Sequence, residues 1–137
     1  MTGALSPAEQ LREPLHDAEE GLLGFDPISP LKPLVGEAFL KLMDRMQRVI
    51  FAKYCVTWWT REGKALHKKA DILAAASEAI HVAGWSRDEL RNVLQINVEP
   101  LQADPLVKRY GGAQWQPWSI EDANGRYLAE LMRLLAL

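Results

Sequence analysis

Apolar residues recur at helical spacing along most of this chain, and the pattern is clearest between residues 34 and 62. There Val35, Phe39, Leu42, Met46, Val49 and Ile50 fall on one stripe, with Lys41, Arg45 and Arg48 on a polar flank. The stretch opens behind Pro30 and Pro33, residues that suit a first helical turn, and reaches Gly63, a common C-terminal stop. The pattern therefore predicts one central helix over 34–62, of about 29 residues and roughly 43 Å.

The second half of that stretch has a second apolar side. At about 100° per residue, Phe51 lies about 160° from Val35, and Trp58 about 140°. Cys55 and Trp59 share this side. A helix that is apolar all round must be covered all round. Two covers fit. Other helices of the chain could make a two-sided core. Alternatively a second chain could use Phe51, Trp58 and Trp59 as contact anchors, since large aromatics dominate interface energetics.

The flanking segments read as shorter helices. Ser6-Pro7-Ala8-Glu9 has the form of a capping box, and Pro14 then interrupts. A second short helix is expected from about residue 14 to 23. The loop Gly24-Phe25-Asp26-Pro27-Ile28-Ser29-Pro30 follows, with Phe25 and Ile28 expected to pin it to the core. After Gly63, a helix is expected over 64–83, with Ala74-Ala75-Ala76 allowing a neighbour to approach closely. Ser86-Arg87-Asp88-Glu89 is a second capping box, opening a helix to about Gln95. Ile96-Asn97-Val98 alternates like a strand but has nothing to pair with, so it reads as extended loop. Asp104-Pro105 starts a turn or two through Tyr110. The aromatic loop Gln114-Trp115-Gln116-Pro117-Trp118 leads to Ser119, a cap for the last helix. Asn124-Gly125 weakens the first turns there, so a firm start is expected only near Arg126. The fold class expected is all-α: one domain over 1–137, five to six helices around the 34–62 helix, with 1–30 as an acidic arm.

Composition changes this picture little, and charge distribution changes it more. With 137 residues, 48% apolar and 25% charged, the chain is ordinary for a globular domain. Net charge is −2, but residues 1–40 carry 2 basic and 7 acidic side chains, while 41–70 carry 8 basic and 2 acidic. The acidic arm is expected to neutralise the basic middle. The lone Cys55 excludes an intrachain disulfide, and the acidic, polar N-terminus is unlike a leader, which together suit a reducing, cytoplasmic setting. No apolar run is long enough for a membrane span.

Candidate chemistry is sparse. Cys55 with His67 or His81 would need an oxyanion loop that the sequence lacks, and a buried structural cysteine is the simpler reading. His16, His67 and His81 are scattered without metal-ligand spacing, and the glycines form neither a P-loop nor a dinucleotide fingerprint. No metal and no cofactor is therefore expected, and no catalytic constellation stands out. Residues 57–69 interleave Trp58 and Trp59 with Lys64, Lys68 and Lys69, a pattern that can serve single-stranded nucleic acid or simply a solvated helix start. Ala79, Ala83, Trp85, Leu90 and Val93 around Gly84 fit a helix-turn-helix over 72–95. Its outward residues would be Arg87, Arg91, Asn92 and Gln95, supported by Lys68 and Lys69. Ile80, where a small residue is needed, and Asp88 and Glu89, close to phosphates, oppose that reading.

The favoured expectation is a non-enzymatic protein-interaction module: a regulatory, adaptor or accessory subunit binding a protein partner or a second copy of itself. Contact residues would be Phe51, Trp58, Trp59, Trp115 and Trp118. Trp85, Trp115 and Trp118 lie in turns or loops, as lids on the core or as contacts. The alternative is a helix-turn-helix DNA-binding regulator.

Overall fold

A computed structural model describes residues 5–27 and 31–137; Ile28 and Pro30, which carry two of the expectations above, lie outside them. The described residues are all-helical, without strand. In chain order the helices are α1 (Pro7–Leu15), α2 (Ala18–Leu23), α3 (Glu37–Lys53), α4 (Arg61–His81), α5 (Arg87–Asn92), α6 (Pro105–Tyr110) and α7 (Ile120–Leu135). No helix among them is long and apolar enough to cross a membrane.

The expected 34–62 helix is two helices. α3 starts at Glu37, behind Gly36 at φ 84°, and ends at Lys53. The end is a Schellman motif: Cys55 takes the left-handed conformation at φ 55°, its N–H donates to Ala52 O, and Val56 N–H donates to Phe51 O at 2.9 Å. Val56 and Phe51 then pack in the same cluster, which is the apolar contact this motif favours. Glycine usually fills that left-handed position, and here it is cysteine, so the sequence carries no stop signal. The new start is at Thr60, whose hydroxyl accepts the Gly63 N–H at 2.9 Å. Gly63 is thus in the first turn of α4 rather than at the end of the preceding helix. Cys55 is exposed, not buried.

The chain forms two compact units, residues 1–59 with 124–137, and residues 60–123. In the first, Leu11, Leu15, Ile50, Phe51, Val56 and Leu134 make the core, with Tyr54, Trp59 and Leu131 packed on it. The face of α3 that enters the core carries Met43, Gln47, Ile50 and Phe51. Leu42 and Val49, expected inside, are exposed. The reason is that α1 and α2 pack on the other side of α3. Gln47 can sit inside because its amide donates to Leu15 O at 2.8 Å, satisfying a carbonyl at the end of α1. α7 starts at Ile120 rather than near Arg126, with Ser119 Oγ accepting the Asp122 N–H at 3.1 Å. Its Tyr127 hydroxyl donates to Pro14 O at 2.8 Å, tying α7 to α1. Phe25 meets Phe39 edge-on at 5.6 Å.

The 54–60 connection is held from α1. Arg12 is only 2% exposed. Its guanidinium donates to Thr57 O and Trp58 O, both at 3.3 Å, and lies over the Trp59 ring at 4.3 Å. The ion pairs of Lys41, Arg48 and Lys68 are local, with Glu37, Asp44 and Asp71 three or four residues away, rather than with the acidic arm.

In the second unit, Ala76, Ala79 and Leu90 form a small core against Ile80, Trp85 and Ile96. The alanines let α5 close on α4. Ser77, buried, donates to Leu73 O at 2.7 Å and accepts the Leu101 N–H at 3.0 Å, which anchors the extended 96–103 segment on α4.

Candidate functional site

The three loop tryptophans of the second unit converge. A cleft of about 690 Å3 is lined by Trp85, Trp115 and Trp118, together with Ala75, Glu78, Ala79, Val82 and Ala83 of α4, and Leu94, Asp104, Leu106, Gln116, Pro117 and Ala123. Its floor is built from α4. Ala75, Ala79, Val82 and Ala83 share one side at helical spacing, and their small side chains leave room above the backbone.

Each tryptophan is placed by a local device. Gly84 at φ 72° turns the chain at the end of α4, so that Trp85 N–H returns to Ala79 O at 2.9 Å. Trp115 has φ 58°, a left-handed conformation that is rare for a bulky residue and costs about 1–2 kcal/mol. Asp104 and His81 hold it there. Asp104 caps α6 through Oδ1, which accepts the Leu106 N–H at 2.8 Å, and its Oδ2 accepts the Trp115 N–H at 3.1 Å. The Trp115 ring stacks on His81 at 4.3 Å and 10°. His81 is fixed in turn by Nε2, which donates to Leu101 O at 2.8 Å. That bond defines a positioning role for His81. Trp118 meets Tyr110 edge-on at 5.3 Å. Both charged residues of the lining, Glu78 and Asp104, are acidic. The sequence marks the three tryptophans as lids or contacts, but neither Glu78 nor Asp104 carries a signal beyond a helix position and a cap.

The tryptophans of the first unit are placed differently. Phe51, expected as a contact residue, is 2% exposed and belongs to the core, so it offers a partner almost no surface. Trp59 packs on the same core beneath Arg12. Trp58 is 41% exposed, tilted against Phe51 at 5.4 Å and covered on one face by Arg48 at 4.2 Å.

The nucleic-acid candidates are not gathered into a basic surface. Arg87 donates to Glu99, and Arg91 lies 4.0 Å from the same carboxylate. Lys68 is paired with Asp71 at 2.7 Å. Lys69 and Asn92 are exposed, and Gln95 takes a left-handed conformation just past α5. α5 itself has six residues, about 9 Å of helix at 1.5 Å per residue.

No protein-family model matches the chain, and no solved structure matches it. It is 30% identical over 96 residues to an uncharacterized protein of Rhodobacter capsulatus. That stretch is 69% of this chain and 45% of the relative, so the chain spans under half the relative's length.

A second polar cluster lies in the first unit, around the start of α2. His16 Nε2 pairs with Asp17 Oδ2 at 2.7 Å, and this bond raises the imidazole pKa to about 9. Burial, with the charges of Asp17 and Asp26, raises Glu20 to about 7. Glu19 is raised too, chiefly by burial.

Proposed function

We propose that the chain is a protein-interaction module whose second unit receives an apolar side chain of a partner, flanked by a basic residue. The observation that carries this reading is the convergence of Trp85, Trp115 and Trp118 over an alanine-rich floor. The cleft volume is in the range of pockets that bury a small ligand or a peptide anchor, about 300–1,000 Å3. Strain at Trp115 supports the reading, because left-handed bulky residues concentrate at binding sites. Glu78 and Asp104 supply the preference for a basic neighbour.

Display of random twelve-residue peptides tests this. Wild-type protein is expected to enrich peptides with an aromatic or leucine beside Lys or Arg. Ala83→Arg, which fills the cleft from its floor, is expected to lose them. Enrichment that is identical on the Ala83→Arg protein would refute the reading. Sedimentation of the wild type across concentration separates a heterologous partner from self-association.

The DNA-binding reading over 72–95 has less support. Glu99 engages both of its arginines, and α5 is short. Binding to duplex DNA that weakens steeply with salt, and is lost in Arg87→Ala with Arg91→Ala, would favour it instead.

A further inference from the structure

The cleft of the second unit is apolar and acidic at once. Its walls include Trp85, Trp115 and Trp118, and the only charged side chains in its lining are Glu78 and Asp104. An apolar side chain uses the first property and leaves the second idle. A basic neighbour answers the charge from outside. One kind of group answers both from within: a cation whose surface is methyl.

The hydrogen bonds of the lining favour such a cation over an ordinary ammonium. A lysine ammonium carries three N–H donors, each costly to bury without an acceptor. Both carboxylate oxygens of Asp104 already accept backbone N–H groups, Oδ1 from Leu106 at 2.8 Å and Oδ2 from Trp115 at 3.1 Å. Its charge faces the cleft while its acceptors serve the backbone. Glu78 and Gln116 are exposed, so an ammonium bonded to them stays in water. A quaternary ammonium has no N–H to satisfy. It is drawn to carboxylates and to the face of tryptophan, the best aromatic partner for a cation. His81, stacked on Trp115 at 4.3 Å, lies outside the lining, and no basic residue is part of it.

We propose that the cleft holds the trimethyl-lysine side chain of a protein partner. That assignment rests on the cleft being the partner's binding site, as proposed above, and names the group that enters it. The volume favours a side chain over a free small cation, since about 690 Å3 takes the trimethylammonium head together with its stem. The stem lies along the alanine-rich floor, as the stems of long basic side chains do on apolar surfaces.

The test is titration of the full chain with a short alanine–glycine peptide bearing one trimethyl-lysine. Binding is followed by tryptophan fluorescence and by the methyl proton signal of the peptide. Three ligands serve for comparison: the peptide with unmodified lysine, the peptide with a neutral tert-butyl head in place of trimethylammonium, and free choline. The trimethyl-lysine peptide is expected to bind at least tenfold more tightly than each, with its methyl signal moved upfield by the indole rings. Glu78→Gln is expected to weaken it at least threefold and to leave the neutral peptide unchanged. Trp118→Leu is expected to reduce the preference over the neutral peptide at least threefold, with helix content by circular dichroism unchanged. Glu62→Gln, an acidic change in the first turn of α4 and outside the lining, is expected to bind as the wild type does. Charged and neutral peptides that bind alike, lysine that binds as well as trimethyl-lysine, or no binding up to about 10 mM would overturn the proposal. A Glu78→Gln protein with wild-type affinity would overturn it too, and choline bound as tightly as the peptide would overturn the protein side chain as the source. If displayed peptides still enrich on the wild type and are lost on Ala83→Arg, the cleft remains the partner site and only the trimethyl-lysine assignment falls. If that enrichment is also absent, both fall.

Discussion

Replacing Arg12 is the most direct probe of how the first unit is held. In Arg12→Ala, Thr57 O and Trp58 O lose their charged donor, and the Trp59 ring loses the guanidinium above it. Hydrogen bonds from a charged group are worth about 1.5–3 kcal/mol each. At 3.3 Å both belong at the lower end, and the two carbonyls sit in exposed residues that water can reach. The stacked cation adds about 0.5–1 kcal/mol. The expected loss is therefore about 3 kcal/mol, a large share of the roughly 5–15 kcal/mol of a whole domain. Two further variants separate the causes. Arg12→Lys keeps a charged donor on a shorter stem but loses the planar group over the Trp59 ring, and should recover about half. Arg12→Met loses the same donors and the same charge but keeps most of the stem's packing, so a loss somewhat smaller than that of Arg12→Ala is expected. The assay is urea unfolding followed by far-ultraviolet circular dichroism and tryptophan fluorescence. Hydrogen exchange should quicken at Val56, whose N–H closes α3 on Phe51 O. An Arg12→Ala protein within about 0.5 kcal/mol of wild type, at an unchanged urea slope, would show that Arg12 does not hold the 54–60 connection.

The other expectations are narrower. Ser77→Ala orphans the half-buried Leu101 N–H and should cost about 1–3 kcal/mol in thermal or urea unfolding, whereas a neutral result would place water or another acceptor there. Ser86→Ala removes the capping box that opens α5, for about 1 kcal/mol, read by the same unfolding curves; its partner Glu89 is held below the usual carboxylate range by the Ser86 backbone and hydroxyl. Stability should fall as pH rises from 5 to 9. His16 is raised from 6.5 to about 9, so its contribution is full below pH 6.5 and is lost through pH 9. Glu20 is raised from 4.5 to about 7, so folding favours its proton, and that contribution is lost between those values. A melting temperature that rises over this window, or a His16→Ala protein with the wild-type slope above pH 7, contradicts the assignment. Trp118→Ala should weaken any peptide selected on the cleft by about 2 kcal/mol or more, roughly thirtyfold by titration, without changing helix content.

Much of the secondary structure was legible because its signals are local. The capping boxes at Ser6 and Ser86, the Asp104-Pro105 start and the Ser119 cap all act within four residues; the first three open helices where the pattern places them, and Ser119 opens α7 ahead of the firm start expected near Arg126. The 3.6-residue period determines the all-α class for the same reason. The sequence also singles out Trp85, Trp115 and Trp118, because large aromatics in loops need a cover or a partner.

Four things were decided only in three dimensions. The long helix ends at Lys53 because Phe51 and Val56 gain a common core when Cys55 turns left-handed, and tertiary packing outweighs a conformation cysteine does not prefer. The buried side of α3 carries Gln47 rather than Leu42 because the partner that satisfies Gln47, Leu15 O, lies 32 residues away. Likewise Arg12 is inside because its acceptors are 45 and 46 residues distant. Periodicity ranks a residue by its own transfer energy, and a polar group paired across such a distance inverts that ranking. The cleft follows the same logic: Trp115 reaches its place only because Asp104 and His81, which lie far apart in sequence, meet it from two directions.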